Sequence, residues 1–132
     1  MSNLELFQAL RTRTLMLVPE ETYSCVSGFL LGYDQARDGG VLSGFQEWIV
    51  MRHGSGTNVS WTRLVAGLRF PAESDPSGYV SAGGPDVQRQ AITALSEYLE
   101  AFEKQRKERG LQDIFVTYEK WLIAKRIAPK AH

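Results

Sequence analysis

Apolar residues recur at intervals of three and four along most of this chain, and residues that begin or end helices flank these stretches. Ser2 and Glu5 form a capping-box pattern followed by apolar residues at helical spacing, which predicts a first helix over residues 2–12. Pro85 suits the first turn of the longest predicted helix, and Gly110 suits its end. A chain patterned in this way is expected to fold by packing helices against one another.

A second helix is predicted to begin at Pro19, which suits a first-turn position, and to end at Gly39 and Gly40. The two glutamates after Pro19 favour the positive end of a helix dipole. The segment before it, "TRTLMLVP", is interpreted as an apolar connector.

Two short helices are predicted in the middle of the chain. Ser43 and Gln46 form another capping-box pattern at the start of the first, and Gly54 is a suitable end. Thr57 or Asn58 can cap the second. A short turn therefore joins them.

Both short helices carry an apolar stripe, with Trp48 at the centre of one and Trp61 at the centre of the other. We therefore predict that the two indole rings are mostly buried and close together. The stripes comprise Phe45, Trp48, Ile49 and Arg52 in the first helix, and Trp61, Leu64, Val65 and Leu68 in the second.

The segment Phe70–Pro85 is rich in proline, glycine and serine and has no sustained period, so it is predicted to be irregular. A last helix is predicted over residues 112–126, with Phe115, Tyr118, Trp121 and Leu122 facing inward. The predicted fold class is mostly α, a compact bundle of about five to six helices. One or two short strands are the alternative at "TLMLV", "WIVM" and "IFVTY".

Composition narrows the class of protein further. A chain of 132 residues that is 43% hydrophobic can build one core, so a single domain over residues 1–132 is expected. Fifteen basic residues balance fifteen acidic ones, which disfavours a nucleic acid or an anionic membrane as the partner. The longest apolar runs have four residues, whereas a membrane span needs about 20. The segment "MSNLELFQAL" lacks the basic region of a signal peptide, and we expect a cytoplasmic protein.

The cysteine and histidine content predicts neither a metal site nor a catalytic thiol. Cys25 is the single cysteine and lies within a helical pattern, where a buried structural thiol is the favoured interpretation. One cysteine and two distant histidines cannot assemble a metal site, and the glycine-rich segment "SGYVSAGGP" lacks the lysine of a phosphate-binding loop. No metal and no cofactor are therefore expected.

The tripeptide Arg52-His53-Gly54 resembles the phosphohistidine loop of histidine phosphatases. Such an enzyme needs its nucleophilic histidine after a central parallel strand and a second histidine beside it, and the only other histidine here is His132. We interpret the tripeptide as the end of a helix, where cations suit the negative end of the dipole, and expect no enzyme. The phosphatase is a remote alternative.

Four segments, "RTLMLVPEET", "SGFLLGYDQA", "LSGFQEWIVMR" and "SWTRL", resemble a group of small uncharacterised bacterial proteins associated with toxin–immunity loci. The resemblance covers roughly residues 4–68, and this sequence departs from the group at Thr14, where proline is usual, and at Leu17, where tyrosine is usual. It implies a non-enzymatic immunity protein that neutralises a cognate bacterial toxin. The matching residues are Arg13, Met16, Leu31, Gly32, Tyr33, Phe45, Trp48, Ile49, Arg52, Ser60, Trp61 and Leu64.

The partner-binding surface is predicted on Pro71–Pro85 of the irregular segment and on the start of the next helix. Glu73, Asp75 and Asp86 supply negative charge that can steer a basic toxin, and Tyr79 is an aromatic residue of the kind enriched at binding hot spots. A solvated loop without a partner is the alternative. A second function also remains open, a regulatory or adaptor module that binds a nucleotide or nucleic acid through the basic segment "KWLIAKRIAPKAH".

Overall fold

The computed structural model describes residues 1–127, and in this range the chain forms eight α-helices and no strand. The mostly helical fold is confirmed, and the three strand-prone segments are helical. The prediction of five to six helices is too low, because two short helices were not foreseen. The helices are α1 Asn3–Thr12, α2 Thr14–Leu17, α3 Tyr23–Ala36, α4 Phe45–His53, α5 Trp61–Arg69, α6 Pro76–Ala82, α7 Pro85–Arg109 and α8 Leu111–Ile127.

Helix α7 is the centre of the fold and contacts α1, α3, α4, α5, α6 and α8. Five apolar residues at helical spacing on α7 are all buried: Ala91, Ile92, Leu95, Leu99 and Phe102. Hydrogen bonds and an ion pair hold α1 against α7. The buried Ser96 hydroxyl donates to Phe7 O at 2.6 Å, and Arg11 donates to Ser96 Oγ at 2.7 Å while pairing with Glu100.

The first helix begins as the sequence predicts, with both hydrogen bonds of the capping box formed between Ser2 and Glu5. The second begins later than predicted. Thr22 caps α3 by accepting from Cys25 N at 3.2 Å, so Pro19 lies outside the helix. The Thr22 hydroxyl accepts a hydrogen bond from a backbone N–H that has no partner within the first turn. This cap determines where α3 begins, and Pro19 does not.

The predicted apolar connector is in fact a single helical turn, α2. Its first residue, Thr14, is buried and donates its hydroxyl to Leu10 O at 2.6 Å, so the turn continues directly from α1. Leu15 and Met16 remain exposed.

The capping box predicted at Ser43 and Gln46 is not formed. Gly44 precedes α4 with φ of 93°, a backbone conformation that other residues rarely adopt, and a Cβ at this position would crowd the Leu111 side chain of α8. Gln46 donates instead to Val59 O at 2.7 Å and fixes the loop that leads to α5.

The end of α4 is predicted correctly, since Gly54 follows the last helical residue with φ of 90°. The start of α5 is not. Ser60 occupies the N-cap position, and Thr57 and Asn58 lie in the turn before it.

Trp48 and Trp61 are both buried, as predicted. They meet through Phe45, whose ring centroid lies 6.1 Å from that of Trp48 and 5.7 Å from that of Trp61. Phe102 of α7 joins the cluster at 5.3 Å from Phe45. This aromatic cluster joins α4, α5 and α7 in the core.

The inward face of α8 was predicted correctly for Tyr118 and Trp121, which pack against the core, and incorrectly for Phe115. Ile114 is fully buried, whereas Phe115 is 39% exposed. Tyr118, Trp121 and Leu122 are half-buried. At the start of this helix, the residue that faces the core is therefore Ile114 and not Phe115, one position earlier than predicted.

The segment Phe70–Pro85 contains helix α6, so the prediction of an irregular segment is wrong. Asp75 caps this helix by accepting from Gly78 N at 3.1 Å, and Pro76 occupies the first turn. Val80 anchors the helix in the core.

Candidate functional site

A cleft of about 730 Å³ lies between α3, α5, α6 and the start of α7. Its volume falls within the range of roughly 300–1,000 Å³ that is typical of small-molecule sites. One side of this cleft is formed by α6, the helix that is capped by Asp75 and contains Tyr79.

Gln88 holds the floor of this cleft together. Its side chain is only 8% exposed and joins three elements. The amide oxygen accepts from Tyr23 N at 2.9 Å, and the amide nitrogen donates to Val80 O at 2.6 Å and to Gly83 O at 3.1 Å. One buried amide thus fixes the start of α3, the end of α6 and the first turns of α7 relative to one another.

Tyr23 connects the two helices α3 and α5 that border the cleft. Its hydroxyl donates to Thr62 O at 2.7 Å, which ties α3 to the first turn of α5. Burial raises the pKa of the Tyr23 phenol above its ordinary value of 10.0, so the group stays a neutral donor at physiological pH.

Ser27 is the unusual polar group of the cleft. It is 7% exposed, its hydroxyl oxygen is buried, and that oxygen has no hydrogen-bond partner among the described residues. The next residue, Gly28, is exposed, and a side chain there would meet nothing within 4 Å. Tyr23 lies one helical turn earlier, and its interaction with the Ser27 side chain lowers the pKa of the phenol against the larger effect of burial, so the inaccessible Ser27 oxygen lies inside the fold beside Tyr23.

Two charged residues line the cleft, Glu20 and Arg63. Both are exposed, and within residues 1–127 neither forms an ion pair. Cys25, the single cysteine, is half-buried in the same lining. The cleft therefore presents one positive charge, one negative charge and one thiol.

The four predicted partner residues lie on and around α6. Glu73 precedes the helix, Asp75 caps it, and Tyr79 lies one turn later. Asp86 belongs to the first turn of α7. All four are exposed, and Tyr79 is 40% exposed although its ring packs on Phe70 at 5.1 Å between centroids. The fold brings Asp75 and Tyr79 onto adjacent turns.

Helix α6 has a second face, which carries Ser77, Val80 and Ser81 into the cleft. The sequence analysis predicted binding residues on the outer face of α6 and did not predict the cleft. Its key residues had a signal, because Gln88 and Ser27 are polar residues placed at helical spacing within apolar stripes. Such a position indicates a buried polar group with a specific partner.

The tripeptide Arg52-His53-Gly54 forms the last turn of α4 and its end, as the helical interpretation predicts. His53 is exposed, with Nδ1 3.3 Å from Ser55 Oγ, and it is the last residue of a helix, whereas the phosphatase loop requires a preceding strand. The other histidine, His132, lies outside the described residues.

No three histidine, cysteine or acidic side chains in residues 1–127 are placed to share a metal ion. None of the helices in this range combines the length and the apolar character needed to cross a membrane. The chain matches no protein-family model, no curated protein and no solved structure.

Proposed function

We propose that the chain is a non-enzymatic, cytoplasmic binding protein with a protein partner, and that it acts as an immunity protein which neutralises a cognate bacterial toxin. The immunity role comes from the resemblance of residues 4–68. The observation that carries the binding role is Tyr79, a large aromatic side chain that is substantially exposed and yet packs on Phe70, on a helix capped by the exposed carboxylate of Asp75.

Packing and hydrogen-bond contacts hold the surface around Tyr79, although the segment is rich in proline and glycine. The Tyr79 ring packs on Phe70, and the guanidinium of Arg69 lies 4.9 Å from the centroid of the Phe70 ring. Arg69 in turn donates to Gln90 of α7 at 2.7 Å. A partner that binds here orders few additional side chains, which favours affinity.

The charge of this surface supports a basic partner. Glu73, Asp75 and Asp86 form no ion pair with another residue in the described part of the chain. Unpaired carboxylates at the edge of an interface attract a positively charged partner and raise the association rate more than the final affinity. A toxin with a basic active-site surface fits this arrangement.

The direct test is co-expression with the product of the adjacent gene, followed by purification of the complex and a growth assay. We expect the neighbour to be toxic alone, to be harmless when this chain is present, and to bind it in a stable complex. A neighbour that is neither toxic nor bound overturns the proposal.

Tyr79→Ala locates the interface within that complex. Aromatic hot-spot residues cost about 2 kcal/mol or more on truncation, so the dissociation constant should rise by roughly thirtyfold. Tyr118→Ala is the matched control, because Tyr118 is a half-buried tyrosine on α8. An unchanged dissociation constant for a folded Tyr79→Ala protein would exclude this surface from the interface.

A further inference from the structure

We propose that the outer face of α8 is the interface of a homodimer, in which the α8 helices of two copies lie antiparallel about a twofold axis. This surface is different from the one around Tyr79, and the inference does not rest on the toxin. The outer face is the side of α8 turned away from the core, and it carries Phe115, Val116, Glu119, Leu122, Ile123 and Arg126.

The inner side of α8 is defined by the residues that meet the core. In positions 111–126 of this helix only Ile114 is buried, and Tyr118 and Trp121 pack against the core one and two turns later. The rings of Tyr118 and Trp121 stack at 6.0 Å between centroids, and the Lys125 ammonium lies 5.3 Å from the centroid of the Trp121 ring. One stripe of the helix, with its cation Lys125, is therefore occupied within a single copy.

Large apolar side chains also occupy the opposite side of α8, where they meet solvent. Phe115 is 39% exposed, Val116 44% and Ile123 52%, and Leu122 is half-buried beside them. A helix that faces water on one side carries polar residues there, and this helix does not. Exposed apolar side chains that adjoin one another on a helix face are a sign of an interaction surface.

Two charges on this face indicate what covers it. Glu119 lies three or four positions from each of the four apolar residues, so no cation of its own helix is within reach at those spacings. Arg126 is the cation of the same face, two turns further along. Both side chains are exposed, and neither forms an ion pair in the part of the chain that the structure describes.

An antiparallel pair of helices brings these opposite charges together twice. Seven residues span about two turns, or about 10.5 Å, so Glu119 and Arg126 lie along one line of the helix. When the twofold axis passes between Leu122 and Ile123, Glu119 of each copy faces Arg126 of the partner subunit, and the two apolar residues of both copies meet at the centre. A twofold interface requires a self-complementary surface, and this face is self-complementary in charge and in apolar character.

The same pattern disfavours other occupants. A lipid bilayer would have to accommodate the Glu119 carboxylate in the middle of its apolar contact, which is unfavourable. A strongly basic or strongly acidic partner would be attracted by one charge of the face and repelled by the other. A second copy of the chain matches both charges.

Sedimentation equilibrium of the full chain between about 5 and 500 µM tests the proposal, and we expect a dimer with a dissociation constant below about 100 µM. Glu119→Arg and Arg126→Glu each place like charges at both contacts, so each variant should dimerise at least about tenfold more weakly. An equimolar mixture of the two variants should form a heterodimer about as stable as the parent dimer, because every contact is again between opposite charges.

Glu97→Arg and Arg63→Glu are the matched controls, since they reverse the same charges at exposed positions of α7 and α5. Both should dimerise like the parent. Ile123→Asp removes an apolar residue from the centre of the interface, and it should be monomeric at about 100 µM with an unchanged circular dichroism spectrum.

The proposal is overturned by a chain that stays monomeric at about 500 µM, by undiminished dimerisation in both Glu119→Arg and Arg126→Glu, or by a mixture of these folded variants that stays monomeric. A monomeric chain that co-sediments with phosphatidylglycerol vesicles, or that loses the toxin in Ile123→Asp, assigns the face to another occupant and overturns it as well. Dimerisation is measured without toxin, so its failure is distinguishable from a failure of the immunity role.

Discussion

Replacing Gln88 by alanine should lower the free energy of unfolding by about 3 kcal/mol, because three hydrogen bonds are lost at about 1 kcal/mol each. The bonds run to Tyr23 N, Val80 O and Gly83 O. Gly83 O is only partly buried, so water can replace the amide there and the loss can fall to about 2 kcal/mol. The buried Val80 O has no such replacement.

The measurement is urea unfolding followed by tryptophan fluorescence and circular dichroism. Gln88→Met separates hydrogen bonding from packing, because methionine nearly preserves the side-chain volume and provides no amide. Gln90→Ala is the surface control two residues later. Its side chain is exposed and accepts one bond from Arg69, so the loss should be below about 0.5 kcal/mol.

A loss below about 1 kcal/mol in Gln88→Ala, or the same loss in Gln90→Ala, would refute the reasoning. The amide would then not be what holds α3, α6 and α7 together. The cleft would need another explanation for its shape.

Further outcomes follow from the buried aromatic and hydroxyl groups. Trp48→Ala and Trp61→Ala should each cost about 3–5 kcal/mol in urea unfolding, and a loss below about 1 kcal/mol would place that indole at the surface. Tyr23 has its pKa raised by burial, so the stability it contributes is fully present below pH 10 and is lost as the pH rises further. Tyr23→Phe should flatten that alkaline loss in unfolding measured between pH 9 and about 11, and an equally steep loss in the variant would exclude Tyr23 as its cause.

The long helices could be predicted because their signals are local. The bonds between Ser2 and Glu5 span three residues, and the stripe on α7 repeats over several turns, so the sequence contains both the cause and the pattern. Gly54 ends α4 for a similarly local reason. These features depend little on the rest of the chain.

The short helices were missed because one or two turns cannot show a period. Helix α2 has four residues and α6 has seven, both shorter than the window in which a stripe becomes visible. Helix α6 still had a local signal, since Asp75 before Pro76 is a suitable N-cap before a suitable first residue. The abundance of proline and glycine in the segment obscured it.

The cleft could not be predicted, because its contacts are long-range. Gln88 meets Tyr23 across 65 residues of chain, and Tyr23 meets Thr62 across 39. No spacing rule relates such positions before the packing of α3, α5 and α7 is known. The exposure of the four predicted partner residues could be anticipated, because they lie close together in a polar segment, and their role in binding a partner stays a prediction.

The association rate with the toxin, measured by stopped flow at low and high salt, tests the central claim that the chain binds a basic partner through the acidic surface around α6. Glu73→Gln combined with Asp86→Asn removes two of its charges and should slow association about tenfold at low salt, with a smaller effect at high salt. The matched double variant Glu97→Gln with Glu108→Gln removes two exposed charges from α7 and should have little effect. Equal association rates for the two double variants would contradict the claim.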